Sequence, residues 1–156
     1  MSHRPLVTFD SNVLVYTAQA GDPRRAAALE LLRLAARGRC ALTVQALGEF
    51  FFATTRKGLL TRPVAAAQVR RWLTVFPAPA AASSTAVVAA MDAAAEGRFS
   101  YWDALLLATA AEAGCAAAIS EDMADGAALG AIRVVPAFTG GGVSPAARTL
   151  LEGAGR

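Results

Sequence analysis

Four carboxylates in this 156-residue chain stand where a parallel sheet would bring acids together. Asp10 follows the short apolar run 6–9, and Glu49 lies about a turn into a helix-forming stretch. Asp103 comes three residues after Ser100, and Asp122 follows the apolar run 115–119. Each has an ordinary explanation. Asp10 suits an Asx turn or a helix N-cap, and Asp103 would satisfy orphan amides in a first helical turn. Asp122 competes with Glu121 and Asp125 for any role, and Glu49 can face solvent beside Ala46 and Ala53. Glu49 is the hardest to dismiss: residues 50, 51 and 52 are all phenylalanine, and an acid beside them must reach water, a basic partner or a metal.

The combination says more than its members. In an open parallel sheet each strand aims its carboxyl end, and each following helix its N-terminus, at one crevice. Carboxylates gathered there repel one another unless cations intervene. Donor sets made of oxygen alone select Mg²⁺ or Mn²⁺. One or two such ions activate a water and screen a leaving oxygen, so the acids serve as ligands and not as general bases.

Composition narrows the alternatives. The single histidine, His3, makes zinc binding or histidine acid–base catalysis hard to build. Cys40 and Cys115 show no metal or redox spacing and are expected to be buried free thiols. Hydrophobic residues make up 55% of the chain and mean hydropathy is +0.41, enough for one domain with a true core. No apolar span reaches membrane length, and MSHRPLVTFD lacks the features of a signal peptide, so a cytoplasmic protein without membrane association is expected. Net charge is +3, unevenly spread: residues 1–78 carry 11 Arg or Lys against 4 acids, and residues 79–156 carry 4 against 8. That polarity fits an ordinary surface, or a basic rim around an acidic pit suited to a polyanion.

The elements that must position the acids alternate. Residues 6–9, 40–44, 115–119 and 131–136 read as strands. Helices are predicted from Asp22 and Pro23 to Gly38, over 45–58, from Thr61 and Pro63 through the Trp72 segment, from a cap at Ser84 or Thr85 to Glu96, and over 98–114. The stretch 77–85 reads as a loop within one domain, and the glycine-rich end from Gly140 as loosely held. Alternation of this kind predicts an α/β fold with a mainly parallel sheet and helices on both faces.

DSNVLVY from Asp10, Glu49, YWDALLLATAAEAG with Asp103, and SEDMADG with Asp122 together resemble the PIN-domain ribonucleases, and among them the VapC-type toxins of bacterial toxin–antitoxin systems. The resemblance runs from about residue 6 to 138. It implies a three-layer α/β/α PIN-like fold with four or five strands, a nuclease domain over 1–138, and a tail over 139–156 that is associated with that domain or flexible. It also implies Mg²⁺- or Mn²⁺-dependent cleavage of RNA, commonly tRNA or ribosomal RNA, by a homodimer restrained by a small antitoxin. Asp10, Glu49 and Asp103 match the acidic triad and Asp122 the fourth acid; Asn12, Ser120 and Asp125 match supporting positions. On this pattern Asp10, Asp103 and Asp122 hold the principal ion, and Glu49 serves its water shell or a second ion. Arg56, Lys57, Arg70 and Arg71 are candidates for RNA phosphates, and Tyr101 or Trp102 for base stacking or core packing. Two other readings compete: an inactive PIN-like module that binds RNA or protein, and a Mg²⁺-dependent phosphatase. The phosphatase fits poorly, because the first strand ends in DSN and Lys57 is the only lysine.

Overall fold

A computed structural model describes residues 4–153; His3 lies outside the described residues. The chain runs through β1 (Val7–Phe9), α1 (Ser11–Tyr16), α2 (Arg24–Arg37), α3 (Val44–Arg56), α4 (Arg62–Val75), α5 (Ser84–Ala95) and α6 (Tyr101–Glu112). It continues through β2 (Ala117–Ser120), β3 (Ala128–Leu129), β4 (Ile132–Pro136), β5 (Phe138–Thr139), β6 (Gly142–Val143) and α7 (Pro145–Glu152). The helix starts follow from their side chains: Thr43, Thr61, Ser83, Ser100 and Ser144 each accept a hydrogen bond from the third amide beyond. Pro23, not Asp22, is the cap position of α2, but Asp22 still takes the Arg24 amide at 2.8 Å. Ser83 caps α5, one residue before the expected Ser84.

The main sheet has the order β1–β2–β4–β3, with β1, β2 and β4 parallel and the two-residue β3 antiparallel at the edge. Its three parallel strands are in register at Phe9, Ile119 and Val135, and Ser120 lies beside Pro136. The Asp10 amide continues this ladder to the Ile119 carbonyl at 2.9 Å. Adjacent residues of a strand point to opposite faces. Val134 and Val135 are both fully buried, so both faces of the sheet are covered. Helices α2 and α7 pack together with α7 on β4, and α5 packs on α6, which meets β3 and β4. This is the expected α/β arrangement.

Two expectations change. The run 40–44 forms no full strand: Cys40 makes a single parallel bridge to Val7, Thr43 makes another to Ala80, and Thr43 already caps α3. The chain end expected to be loose is instead ordered to Glu152. β5 and β6 form a small hairpin, and α7 buries Ala147, Leu150 and Leu151 in the same core as β1. Gly38, ending α2, lets α7 approach, since a Cβ there would stand 3.1 Å from the Leu151 carbonyl oxygen. Both cysteines are free, and burial pushes the Cys115 thiol up to about 11. Among the described residues no helix is long and apolar enough to cross a membrane.

Candidate active site

Asp10 is the residue at which β1 stops and α1 starts. Its backbone is extended, and its Oδ1 accepts the Ser11 amide at 2.7 Å, which turns the chain into the helix. Oδ2 accepts the Ser120 hydroxyl at 2.8 Å from the end of the adjacent strand, and the Asn12 amide at a long 3.4 Å. Ser120 Oγ also accepts the Met123 amide at 3.3 Å, which holds the loop carrying Asp122 to the strand end. Burial drives the Asp10 carboxyl up from 3.8 to about 6; the Ser120 bond opposes that shift, and the charges of Asp103 and Glu49 add to it.

Glu49 comes from α3. Its Oε2 accepts the Ser11 hydroxyl at 2.6 Å and its Oε1 the Gln45 side-chain amide at 2.8 Å. The same Gln45 nitrogen reaches the Trp102 carbonyl at 3.0 Å, so α3 is tied to the first turn of α6. Asp103 stands in that turn, with its amide on Ser100 Oγ at 3.2 Å. Burial raises its pKa first; the Ser100 bond opposes this, and the negative charges of Glu49 and Asp122 add. Asp122 lies in an open cleft of about 360 Å³ beside Ser11, Asn12 and Lys57. Asp10, Glu49, Asp103 and Asp122 therefore share one electrostatic neighbourhood at the carboxyl edge of the sheet.

Other predicted residues are placed unequally. Asn12 and Ser120 are both on Asp10. Asp125 is exposed in the loop after β2 and makes no hydrogen bond to the acids among the described residues. The basic rim is not one patch. Lys57 shares the cleft with Asp122, whereas Arg70 lines an apolar groove between α3 and α4, and Arg71 lines a pocket with Arg25 and Phe50. Arg56 lies over the Phe52 ring at 5.8 Å. These side chains diverge because they leave α3 and α4 on different helical faces.

Ser11 and Gln45 enter the site without having been singled out. Ser11 was hidden between two stronger candidates; Gln45 had a legible signal, being four residues before Glu49 on one helix. A second group emerges around Arg24. Its guanidinium holds Asp22 at 2.8 Å and Glu121 at 2.7 Å and lies 4.1 Å over the Tyr16 ring, fastening the loop that bears Asp122 to α1 and α2. Burial, followed by Glu121, pushes the Tyr16 hydroxyl up to about 12.

Among the described residues, no three acidic, histidine or cysteine side chains are set to grip one ion as they stand. Glu49 has both oxygens engaged by Ser11 and Gln45, and both oxygens of Asp10 accept bonds. The donor set still suits a hard divalent cation, being oxygen throughout and electrostatically crowded. In addition, Asn12 Oδ1, beside Asp10, is shut from solvent and has no hydrogen-bond partner among the described residues, an orphaned acceptor suited to a cation or its water.

Comparison with solved structures finds the same fold elsewhere. VapC20 of Mycobacterium tuberculosis, a toxin that cleaves the sarcin–ricin loop, is similar with a TM-score of 0.57 and 24% identity over 72% of this chain and 86% of that one. VapBC2 of Rickettsia felis, bound to a promoter DNA fragment, gives 0.62 and 12% identity over 84% and 98%. DNA-bound VapBC of Salmonella typhimurium gives 0.61 and 14% over 85% and 98%. Comparison with curated proteins finds no match. The model of the PIN domain family matches residues 7–124, a span that opens on β1 and carries all four acids, and the chain belongs to that family.

Proposed function

We propose that the chain is a divalent-cation-dependent endoribonuclease acting as the toxin of a toxin–antitoxin pair. The observation that carries this reading is the meeting of Asp10, Glu49, Asp103 and Asp122 at one sheet edge of a PIN-domain chain. The toxin role is supported by likeness in fold to VapC20 and to two VapBC assemblies. By the same likeness we infer a small antitoxin partner, a homodimer, and tRNA or ribosomal RNA as substrate. An antitoxin arginine placed among the carboxylates would pair with them and block the site.

Asp10, Asp103 and Asp122 would hold the principal Mg²⁺ or Mn²⁺, with Glu49 contributing to its water shell or to a second ion. A bound ion supplies a water activated for in-line attack on phosphorus and neutralises charge at the leaving oxygen. The protein's own part is to fix the ligands. Ser120 and the Ser11 amide hold the two Asp10 oxygens in place. Ser11 and Gln45 aim Glu49, and the Ser100 cap sets the turn that presents Asp103.

The test is cleavage of tRNA and ribosomal RNA fragments, a sarcin–ricin loop among them, with Mn²⁺ or Mg²⁺. Defined cuts that vanish with chelator are expected. Asp10→Asn is expected to lower the rate by more than about 100-fold, beyond the 10–100-fold typical of losing a supporting residue. A folded protein that cuts no RNA with either ion would be an inactive binding module, and release of phosphate from small phosphomonoesters would favour the phosphatase.

A further inference from the structure

Along α3, Gln45, Glu49 and Ala53 and the capping residue Lys57 follow one another at intervals of four, forming a single inclined ridge. At 1.5 Å per residue the ridge is roughly 18 Å long. Its middle is the site acid Glu49, and each end leads to a residue that the acid cluster does not use.

At the first end Gln45 binds the Trp102 carbonyl, so Trp102 sits one hydrogen-bonded residue from Glu49 and next to Asp103 in sequence. Its indole is 62% exposed, which removes core packing as the reason for its position. Tyr101 meets it edge-on with ring centroids 5.0 Å apart and is itself packed against the α5–α6 cluster, bracing the indole at the rim. At the far end Lys57 and Ala53 line the cleft with Asp122. The other cation of that cleft, Arg24, is committed to Asp22 and Glu121. Lys57 takes part in none of the ion pairs formed among the described residues.

The ridge thus joins an exposed indole next to Asp103 at one end, a carboxylate in the middle and an ammonium outside every ion pair among the described residues at the other. Single-stranded RNA has the matching order of groups: unstacked bases with π-faces, a phosphate to be cut, and further phosphates along the strand. We propose that α3 is the floor of a track for single-stranded RNA, with one base stacked on Trp102 and a flanking phosphate on Lys57. This rests on the ribonuclease reading and adds to it the two residues that seat the strand. Stacking on an indole is tolerant of sequence, and so is a lysine–phosphate contact, so the track fixes strand geometry and leaves base choice to other contacts.

The chain has two tryptophans, and the other, Trp72, is only 6% exposed, so a change of emission on adding RNA reports chiefly on Trp102, with Trp102→Phe giving the Trp72 background. The experiment titrates a mixed-sequence single-stranded RNA oligonucleotide in chelator, where nothing is cut, and follows emission and anisotropy. Saturable quenching is expected for the wild type. Trp102→Ala is expected to weaken binding by about 5- to 100-fold, the range for losing one stacked base. Trp102→Phe is expected to abolish the quench while recovering part of the affinity, which a merely structural tryptophan would not do. Lys57→Ala, at an exposed position, is expected to reduce the slope of log affinity against log salt by about 1. Exposed Arg33→Ala on α2 serves as the reference. RNA bound with unchanged emission, or with unchanged affinity in the Trp102 and Lys57 variants, would overturn the track and leave the nuclease reading intact. Loss of a dimer in Trp102→Ala at unchanged RNA affinity would assign the indole to an interface between copies and also overturn it. A wild type that neither binds nor cuts any RNA would sink both.

Discussion

Asp10 carries a conflict that can be measured without substrate. Its carboxyl is 7% exposed and faces two other acids, and its pKa stands at about 6 against 3.8. The folded state therefore binds the proton more tightly than the unfolded chain. The stability this provides is complete below pH 4 and is lost as pH rises to about 6, after which it changes no further. In metal-free buffer at pH 7.5, Asp10→Asn is therefore expected to be more stable than wild type by up to about 3 kcal/mol. The gain should shrink to nothing near pH 4. Adding Mn²⁺ should raise the wild-type melting temperature by mass action and leave Asp10→Asn unmoved. Thermal melts across pH, with and without the ion, check all three, and a wild type indifferent to Mn²⁺ would argue against the metal site. Carboxylates held together against their own repulsion are the expected cost of a site shaped for a cation, and supporting bonds from Ser11 and Ser120 are what keep that cost tolerable.

Among the elements, the loop after β2 carries Asp122 and is held to its neighbours by contacts that can be tested singly. Its first half is tied by Ser120 Oγ to the Met123 amide and by the Arg24–Glu121 pair, which also rests on Tyr16, and its second half by the Gly126 amide on the Val134 carbonyl at 3.0 Å. Arg24→Ala is expected to change global stability little, because these charged groups are partly exposed. It should nevertheless speed amide exchange over residues 121–126 and weaken Mn²⁺ binding, as read by hydrogen exchange and titration calorimetry. Unaltered exchange there would mean the pair is incidental. Arg24's other contact answers to acid: Arg24 holds Asp22 down to about 2, so the Arg24–Asp22 contact is complete above pH 4 and fails as pH falls through about 2. The positions of the candidate acids were legible because strand ends and capping motifs have local signatures, as with Asp10 after VTF and Asp103 after Ser100. Arg24–Glu121 was not, since its partners are 97 residues apart and nothing local in the sequence pairs them. The edge strand β3 escaped for the opposite reason: two residues, Ala128 and Leu129, are too few to show a period. The run 40–44 has strand chemistry, but Thr43 leaves the ladder to cap α3, and tertiary demand overrides propensity.

At the scale of the whole molecule, the family match ends at residue 124 and the core does not. β4 supplies the third parallel strand, and α7 lies on it and on α2. Glycines at 140, 141 and 142 suggest looseness, yet the sequence after them has its own order: Ser144 caps, Pro145 occupies the first turn, and Ala147, Leu150 and Leu151 fall on one face. Gly140 and Gly141 have positive φ, so these glycines make the tight hairpin that turns the chain back toward the sheet. Ser144 then fastens the turn, with its amide on Ala137 O at 2.9 Å and its hydroxyl on Pro136 O at 2.5 Å, at the end of β4. If α7 is an integral layer, Leu151→Ala, at a site 2% exposed, should lower stability by about 2–5 kcal/mol. It should shift the whole urea transition without splitting it. An appendage would behave differently, fraying locally and leaving the midpoint in place. Since α7 and the Ser144 contacts hold the end of β4, and β4 holds β2 with Ser120 against Asp10, the loss should reach the acids. Near the variant's melting temperature, Mn²⁺ binding should fall in parallel with global unfolding and not before it.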